Sequence, residues 1–279
     1  MRQTLKRLTK LAAEARYWMV EALVCAGCGH PGGAFSAVEM LVALYFKIMR
    51  IHPSHPRDKQ RDRFILSKGH ASVALYTVLH LKKFFGIKTL LSFRQDHSSL
   101  GGHPDMRKVP GVEMSTGSLG HGLSVGCGMA YAAKMDHLGY RTFVLMGDGE
   151  TQEGSVWEAA MFAAHYQLDN LIAIVDRNRI QIDGFTENVM SLEPYRAKWK
   201  SFGWEVREVD GHYFAGILKI FSKLPFKKGK PSLVISNTIK GKGISFMENR
   251  PEWHGKGLKG DFALRAKQES KVYFKRRLL

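Results

Sequence analysis

Short apolar runs, set at intervals, constrain this chain most. They are Thr142–Met146 (TFVLM), Leu171–Val175 (LIAIV), Trp204–Val209 (WEVREV) and Ser232–Ser236 (SLVIS), with Arg63–Leu66 a weaker candidate. Helical segments separate most of them, notably Val156–His165 and Phe214–Leu224. Strands that are apolar on both sides need cover on both sides, and strands alternating with helices pair in parallel. The pattern predicts one three-layer α/β/α domain with a mainly parallel sheet, filling residues 1–279, with a basic tail from about 260 to 279. Ligands of such sheets sit beyond the carboxyl ends of the strands.

Helical periodicity is clearest in three places. Leu5, Leu8, Leu11, Ala12, Ala15 and Met19 mark a first helix. Ser36 and Glu39 read as a capping box opening a second, with Val38, Leu41, Val42 and Tyr45 on its apolar side. A third runs from about Leu119 to His137, and its glycines and alanines predict close packing against another backbone.

Composition narrows the function. No run of about 18 apolar residues occurs, so no membrane span is expected. The basic start, MRQTLKRLTK, leads into a segment carrying Glu14, Arg16 and Glu21, which reads as an amphipathic helix and not a signal peptide. Three cysteines, Cys25, Cys28 and Cys127, make no disulfide framework and fit a reducing cytoplasm. Cys25 and Cys28 lack the second ligand pair of a zinc site. The net charge of +17 raises nucleic-acid binding as a possibility. The excess lies largely at the ends, from Arg2 to Lys10 and from Lys256 to Arg277, without interleaved exposed-looking aromatics. Solvated faces and attraction for anionic substrates are the preferred reading.

The chemistry begins after the TFVLM run. Gly147-Asp148-Gly149 permits a sharp turn and close approach of a phosphate to backbone N–H groups, and a helix is expected from near Glu153. The next run ends in Asp176-Arg177-Asn178, thirty positions after Asp148. The Asp148 carboxylate, the Asn178 amide oxygen and a carbonyl at Ile180 are hard oxygen donors suited to a magnesium ion that bridges a diphosphate.

This stretch resembles the signature of thiamine-diphosphate enzymes, and Asp176–Gly184 (DRNRIQIDG) is similar to the transketolase version. Four histidines in Gly- or Pro-rich loops match the same family: His30 in GHPGG, His70 in SKGHAS, His103 in GHP and His254 in WHG. The resemblance covers the chain from the first helix to about Gly260. It implies thiamine diphosphate and Mg2+ as cofactors, with Ca2+ or Mn2+ as substitutes. By the resemblance Asp148, Asn178 and the Ile180 carbonyl hold the metal, and the Gly149 N–H contacts the diphosphate. Gly117 and Leu119, with Gly120, would lie against the cofactor ring. His70 and His254 would lie near the diphosphate and the catalytic carbon, while His30 and His103 would move protons at the ketose hydroxyls. Imidazole, which titrates near neutral pH, suits that work. Glu153 is implied at an interface between subunits; Glu158 reads equally as an interface residue or as an acid favouring a helix N-terminus. His121 stands where the family commonly has Gln, so its role stays open.

The family's activating glutamate and its sugar-phosphate arginines belong to other domains, and no segment here matches them. The resemblance therefore implies the N-terminal subunit of a split transketolase, acting on sugar phosphates with a C-terminal partner in an α2β2 heterotetramer. The alternatives are a deoxyxylulose-phosphate synthase-like fragment, a basic nucleic-acid-binding module and a non-catalytic scaffold.

Overall fold

The computed structural model describes residues 1–56 and 58–278. Five parallel strands form one sheet in the order β1-β2-β3-β5-β4. They are β1 (Arg63–Leu66), β2 (Thr142–Gly147), β3 (Leu171–Arg177), β4 (Glu205–Asp210) and β5 (Ser232–Asn237). Each expected apolar run is a strand. Trp204 falls just outside its strand, where its indole N–H donates to the Ala160 carbonyl at 3.0 Å. β4 is an edge strand, which explains the exposed Arg207 and Glu208 in its run.

The helices are α1 (Arg2–Ala26), α2 (Pro31–Ser36), α3 (Val38–Ala43), α4 (Ser72–Leu81), α5 (Ile87–Leu91) and α6 (His121–Met135). They continue with α7 (Gly154–His165), α8 (Thr186–Val189), α9 (Tyr195–Ser201), α10 (Phe214–Phe221) and α11 (Gly260–Leu278). Successive strand residues point to opposite faces, which divides the core. Phe64, Phe143, Leu145, Ile172, Ile174 and Val234 pack with α1, α3, α4 and α10. Ile65, Val144, Met146, Ala173, Val175 and Ile235 pack with α6, α7 and α9. This is the α/β/α sandwich that the sequence predicts.

The Gly-rich helix packs as expected. A Cβ at Gly126 of α6 would lie 2.5 Å from Val144 Cγ2, and one at Gly122 would lie 2.9 Å from the Ser67 Cα. Only hydrogen atoms fit there, so α6 rests directly on β1 and β2.

Two expectations fail. Ser36 and Glu39 form no capping box, because both side chains are claimed from afar. Ser36 closes α2 and donates to Asp176 at 2.6 Å, while Glu39 takes a two-pronged bond from Arg16 at 2.7 and 2.8 Å. Residues 260–278, expected as a basic tail, are helix α11, which buries Ala266 and Ser270 on the α1 side and pairs Lys267 with Glu21. Leu279 lies outside the described residues.

Candidate active site

The carboxyl ends of β2 and β3 are hydrogen-bonded neighbours, with Gly147 opposite Asp176. That register brings the Gly-Asp-Gly turn and the Asp-Arg-Asn turn to one place. A cavity of about 390 Å³ opens there, lined by His30, His70, His103 and His254, by Gly117, Leu119, Gly149 and Glu153, and by Asp148, Asn178 and Ile180. These sequence-predicted residues therefore border one cavity, whereas Gly120, expected with Gly117 and Leu119 against the cofactor ring, is buried and stands outside the lining. Glu158 and His121 are exposed and stand outside its lining.

The helix after Gly-Asp-Gly starts where expected, at Gly154 with Glu153 in its N-cap position. A 3-10 turn, Gly149–Gln152, intervenes before α7, so it is this turn that follows the strand end. The Gly149 N–H donates to Asp148 Oδ1 at 2.9 Å. Asp148 is 1% exposed and its other oxygen accepts from Arg177 at 3.2 Å and from the Arg179 N–H at 2.5 Å. Burial, reinforced by the nearby charge of Asp176, pushes the Asp148 carboxyl upward despite Arg177. Asn178 Oδ1 accepts from the Ile180 N–H at 3.1 Å, and the Ile180 carbonyl accepts from Lys240 at 3.0 Å.

The four imidazoles form one group. Ring centroids are 5.0 Å apart for His70 and His254, 5.5 Å for His30 and His70, 5.8 Å for His30 and His254, and 6.2 Å for His30 and His103. Burial lowers all four pKa values, helped by Lys68 at His70, by Arg94 at His30 and His103, and by Lys240 at His254, which falls to about 3. They are neutral at neutral pH. His30 Nδ1 is buried without a hydrogen-bond partner among the described residues. Small residues make the crowding possible. A Cβ at Gly32 would lie 2.9 Å from the Trp253 carbonyl, and one at Gly33 would lie 3.3 Å from His70 Nε2.

Sequence reasoning missed the charges of the cavity floor. Lys68 pairs with Asp176 at 2.5 Å, both almost fully buried. Lys240 contacts the Ile180 carbonyl and His254 Nδ1, each at 3.0 Å, and no carboxylate lies in ion-pair range of it among the described residues. Burial, with repulsion from Lys68, brings its pKa down to about 8 although Asp148 opposes the fall. Glu150 accepts from the Gly120 and Gly147 N–H groups, each at 3.0 Å, and from Ser67, and so ties three loops together. Lys68 lies two positions before His70 in SKGHAS and Lys240 opens the segment KGKG, but nothing local separates either from a solvated lysine.

These groups fit a metal-bridged diphosphate. Asp148, Asn178 and the Ile180 carbonyl are three oxygen donors of low charge, which leaves a hard divalent cation needing phosphate oxygens. The unmatched Lys240 ammonium asks for an anion at the same spot. Residues 8–273 match the model of the transketolase thiamine-diphosphate-binding domain. The chain belongs to the transketolase family.

Its relatives include two named as separate subunits. One is a subunit of the apulose-4-phosphate transketolase of Phocaeicola vulgatus, 51% identical over 236 residues, covering 85% of this chain and 84% of that protein. The other is the SqwG subunit of the 6-deoxy-6-sulfo-D-fructose transketolase of a Clostridium species, 47% identical, covering 83% and 84%. The transketolase of Leishmania mexicana superposes with a TM-score of 0.87 at 28% identity over 97% of this chain, which spans 44% of that protein. A Pichia stipitis transketolase complexed with sedoheptulose 7-phosphate gives 0.87 at 32% identity, with 98% and 45% covered. The transketolase chain thus spans less than half of these two enzymes and most of the two relatives named as subunits.

Proposed function

We propose that this chain is the N-terminal subunit of a thiamine-diphosphate-dependent transketolase, transferring a two-carbon ketol unit from a ketose phosphate to an aldose acceptor. The observation that carries the reading is the convergence of Asp148, Asn178, the Ile180 carbonyl, Lys240 and four neutral histidines on one cavity. The match along most of the length of proteins named as single transketolase subunits supports a separate partner subunit. That C-terminal partner would supply the activating glutamate and the sugar-phosphate arginines in an α2β2 assembly in the cytoplasm.

Thiamine diphosphate, when bound, supplies an electron sink for the carbanion released as a bond beside a carbonyl breaks. Asp148, Asn178 and the Ile180 carbonyl would hold Mg2+, for which Ca2+ or Mn2+ could substitute, and Lys240 would answer the diphosphate charge. The Gly149 N–H would add a backbone donor, and Gly117, Leu119 and Glu153 would border the ring and its rim. His70 and His254, which line the same cavity, would lie toward the reacting carbon. His30 and His103, held neutral, accept a proton from a ketose hydroxyl and return it later in the cycle.

Replacing Asp148 tests the reading directly. Asp148→Ala should weaken Mg2+-dependent thiamine diphosphate binding by about 100-fold or more, beyond the usual effect of losing an outer partner of a metal ligand. Circular dichroism should show the fold retained, and unchanged cofactor affinity would sink the metal assignment. Ketol transfer, assayed with ketose phosphate against pyruvate, should appear only with the partner present. Full activity from the chain alone overturns the two-subunit reading.

A further inference from the structure

Asp176 is the residue before last of β3 and is 1% exposed. Its Oδ2 accepts from Ser36 at 2.6 Å, Lys68 at 2.5 Å and Asn178 Nδ2 at 2.9 Å, and its Oδ1 accepts from Thr238 at 2.5 Å. Four donors from four separate segments fill the acceptor capacity of one carboxylate. We propose that Asp176 is a positioning residue for the cation site: it fixes which end of the Asn178 carboxamide faces the cavity, so that oxygen and not nitrogen is offered to a divalent cation. The inference rests on the metal reading of Asp148, Asn178 and Ile180 given above.

The argument follows from donor and acceptor identity. A carboxamide has one end that accepts and one that donates, nearly equal in size and shape. Asp176, ionised, only accepts. The Lys68 ammonium and the Ser36 and Thr238 hydroxyls all donate to it, so every contact it makes uses it as an acceptor. Only the NH2 end of Asn178 can therefore turn toward Asp176. The oxygen end is then left for the Ile180 N–H, which donates to it at 3.1 Å, and that contact closes the short turn carrying the Ile180 carbonyl into the cavity wall. Reversing the amide would set oxygen against the Asp176 oxygen and NH2 against the Ile180 N–H. It would also aim two hydrogens at the cation and no lone pair. A role as counter-ion for Lys68 alone would require the charge of Asp176 but not its contact with Asn178.

A charge swap distinguishes these roles. A carboxylate at position 178 has two equivalent oxygens and needs no control of its flip. Mn2+ binding to the full chain, in the presence of thiamine diphosphate, is read from the free-ion electron paramagnetic resonance signal. Asp176→Asn should raise the apparent Kd by about 10–100-fold, the range for outer partners of metal ligands. The double variant Asp176→Asn/Asn178→Asp should recover most of the lost affinity. Wild-type affinity in Asp176→Asn overturns the proposal, and so does a double variant as weak as the single one. If Asp176→Asn does not fold, Lys68→Met/Asp176→Asn removes both charges and is measured with and without Asn178→Asp, with the same outcomes deciding. The wild-type chain gives a second reading by NMR: the Asn178 side-chain NH2 should exchange slowly with solvent, and fast exchange overturns the proposal. A wild-type chain that binds no Mn2+ defeats the metal reading itself, while the exchange rate still reports on the amide.

Discussion

Two buried groups of charges differ in whether their charge is answered. Arg16 gives Glu39 two hydrogen bonds, donates to the Phe35 and Lys242 carbonyls, and shares Glu39 with His212. Burial alone would raise the Glu39 carboxyl, yet Arg16 and His212 bring it down to about 2. Every formal charge there has a partner, so the cluster is complete as a fastening between α1 and α3. The cavity floor is not complete. Among the described residues Lys240 has no carboxylate in ion-pair range and His30 Nδ1 has no hydrogen-bond partner, while Asp148 has a raised carboxyl. Unanswered charge is costly in a folded chain, and a site that binds a charged ligand is where such a cost is offset.

Three experiments would break or sharpen that contrast. The largest effect belongs to the balanced cluster: Glu39→Ala strands a buried guanidinium and should cost roughly 3–5 kcal/mol of stability. Denaturant melts would read that loss, and cofactor affinity of the folded fraction should stay unchanged. Lys240→Met should behave the opposite way. Removing an unmatched buried ammonium should leave the cofactor-free chain as stable or more so, while cofactor binding weakens about tenfold or more through loss of a charged hydrogen bond worth roughly 1.5–3 kcal/mol. A loss of stability as large as that of Glu39→Ala would erase the distinction.

The smallest effect at neutral pH is that of His254, which shows only as the pH falls. His254 has a folded value of about 3 against an ordinary 6.5, so between these values the unfolded chain binds the proton and the folded chain does not. Its contribution to stability is therefore full above about pH 6.5 and declines as pH falls below that value. The slope is at most about 1.4 kcal/mol per pH unit. His254→Asn should flatten the melting curves over that window, and an unaltered pH dependence would remove His254 from the cavity's charge balance.

The strands were legible because β2, β3 and β5 are buried on both faces and keep continuous apolar runs. The four histidines were legible because each sits in a Gly- or Pro-rich loop of distinctive local sequence. What escaped notice depends on distant partners. Arg16 donates to a carbonyl 226 positions away and Lys68 to a carboxylate 108 positions away, so neither looks unusual in its own segment. The Ser36–Glu39 misreading has the same origin, since a local pattern loses when both side chains find stronger partners across the fold. The end of α10 was misplaced by a few residues, because Pro225 discourages helix in the residue before it.

Asp176 gathers its donors from positions 36, 68, 178 and 238, and the imidazoles come from positions 30, 70, 103 and 254. A cut anywhere between residues 30 and 254 therefore divides the cavity, leaving neither fragment with a whole one. For anyone wishing to transplant this chemistry, the smallest portable unit has no internal seam.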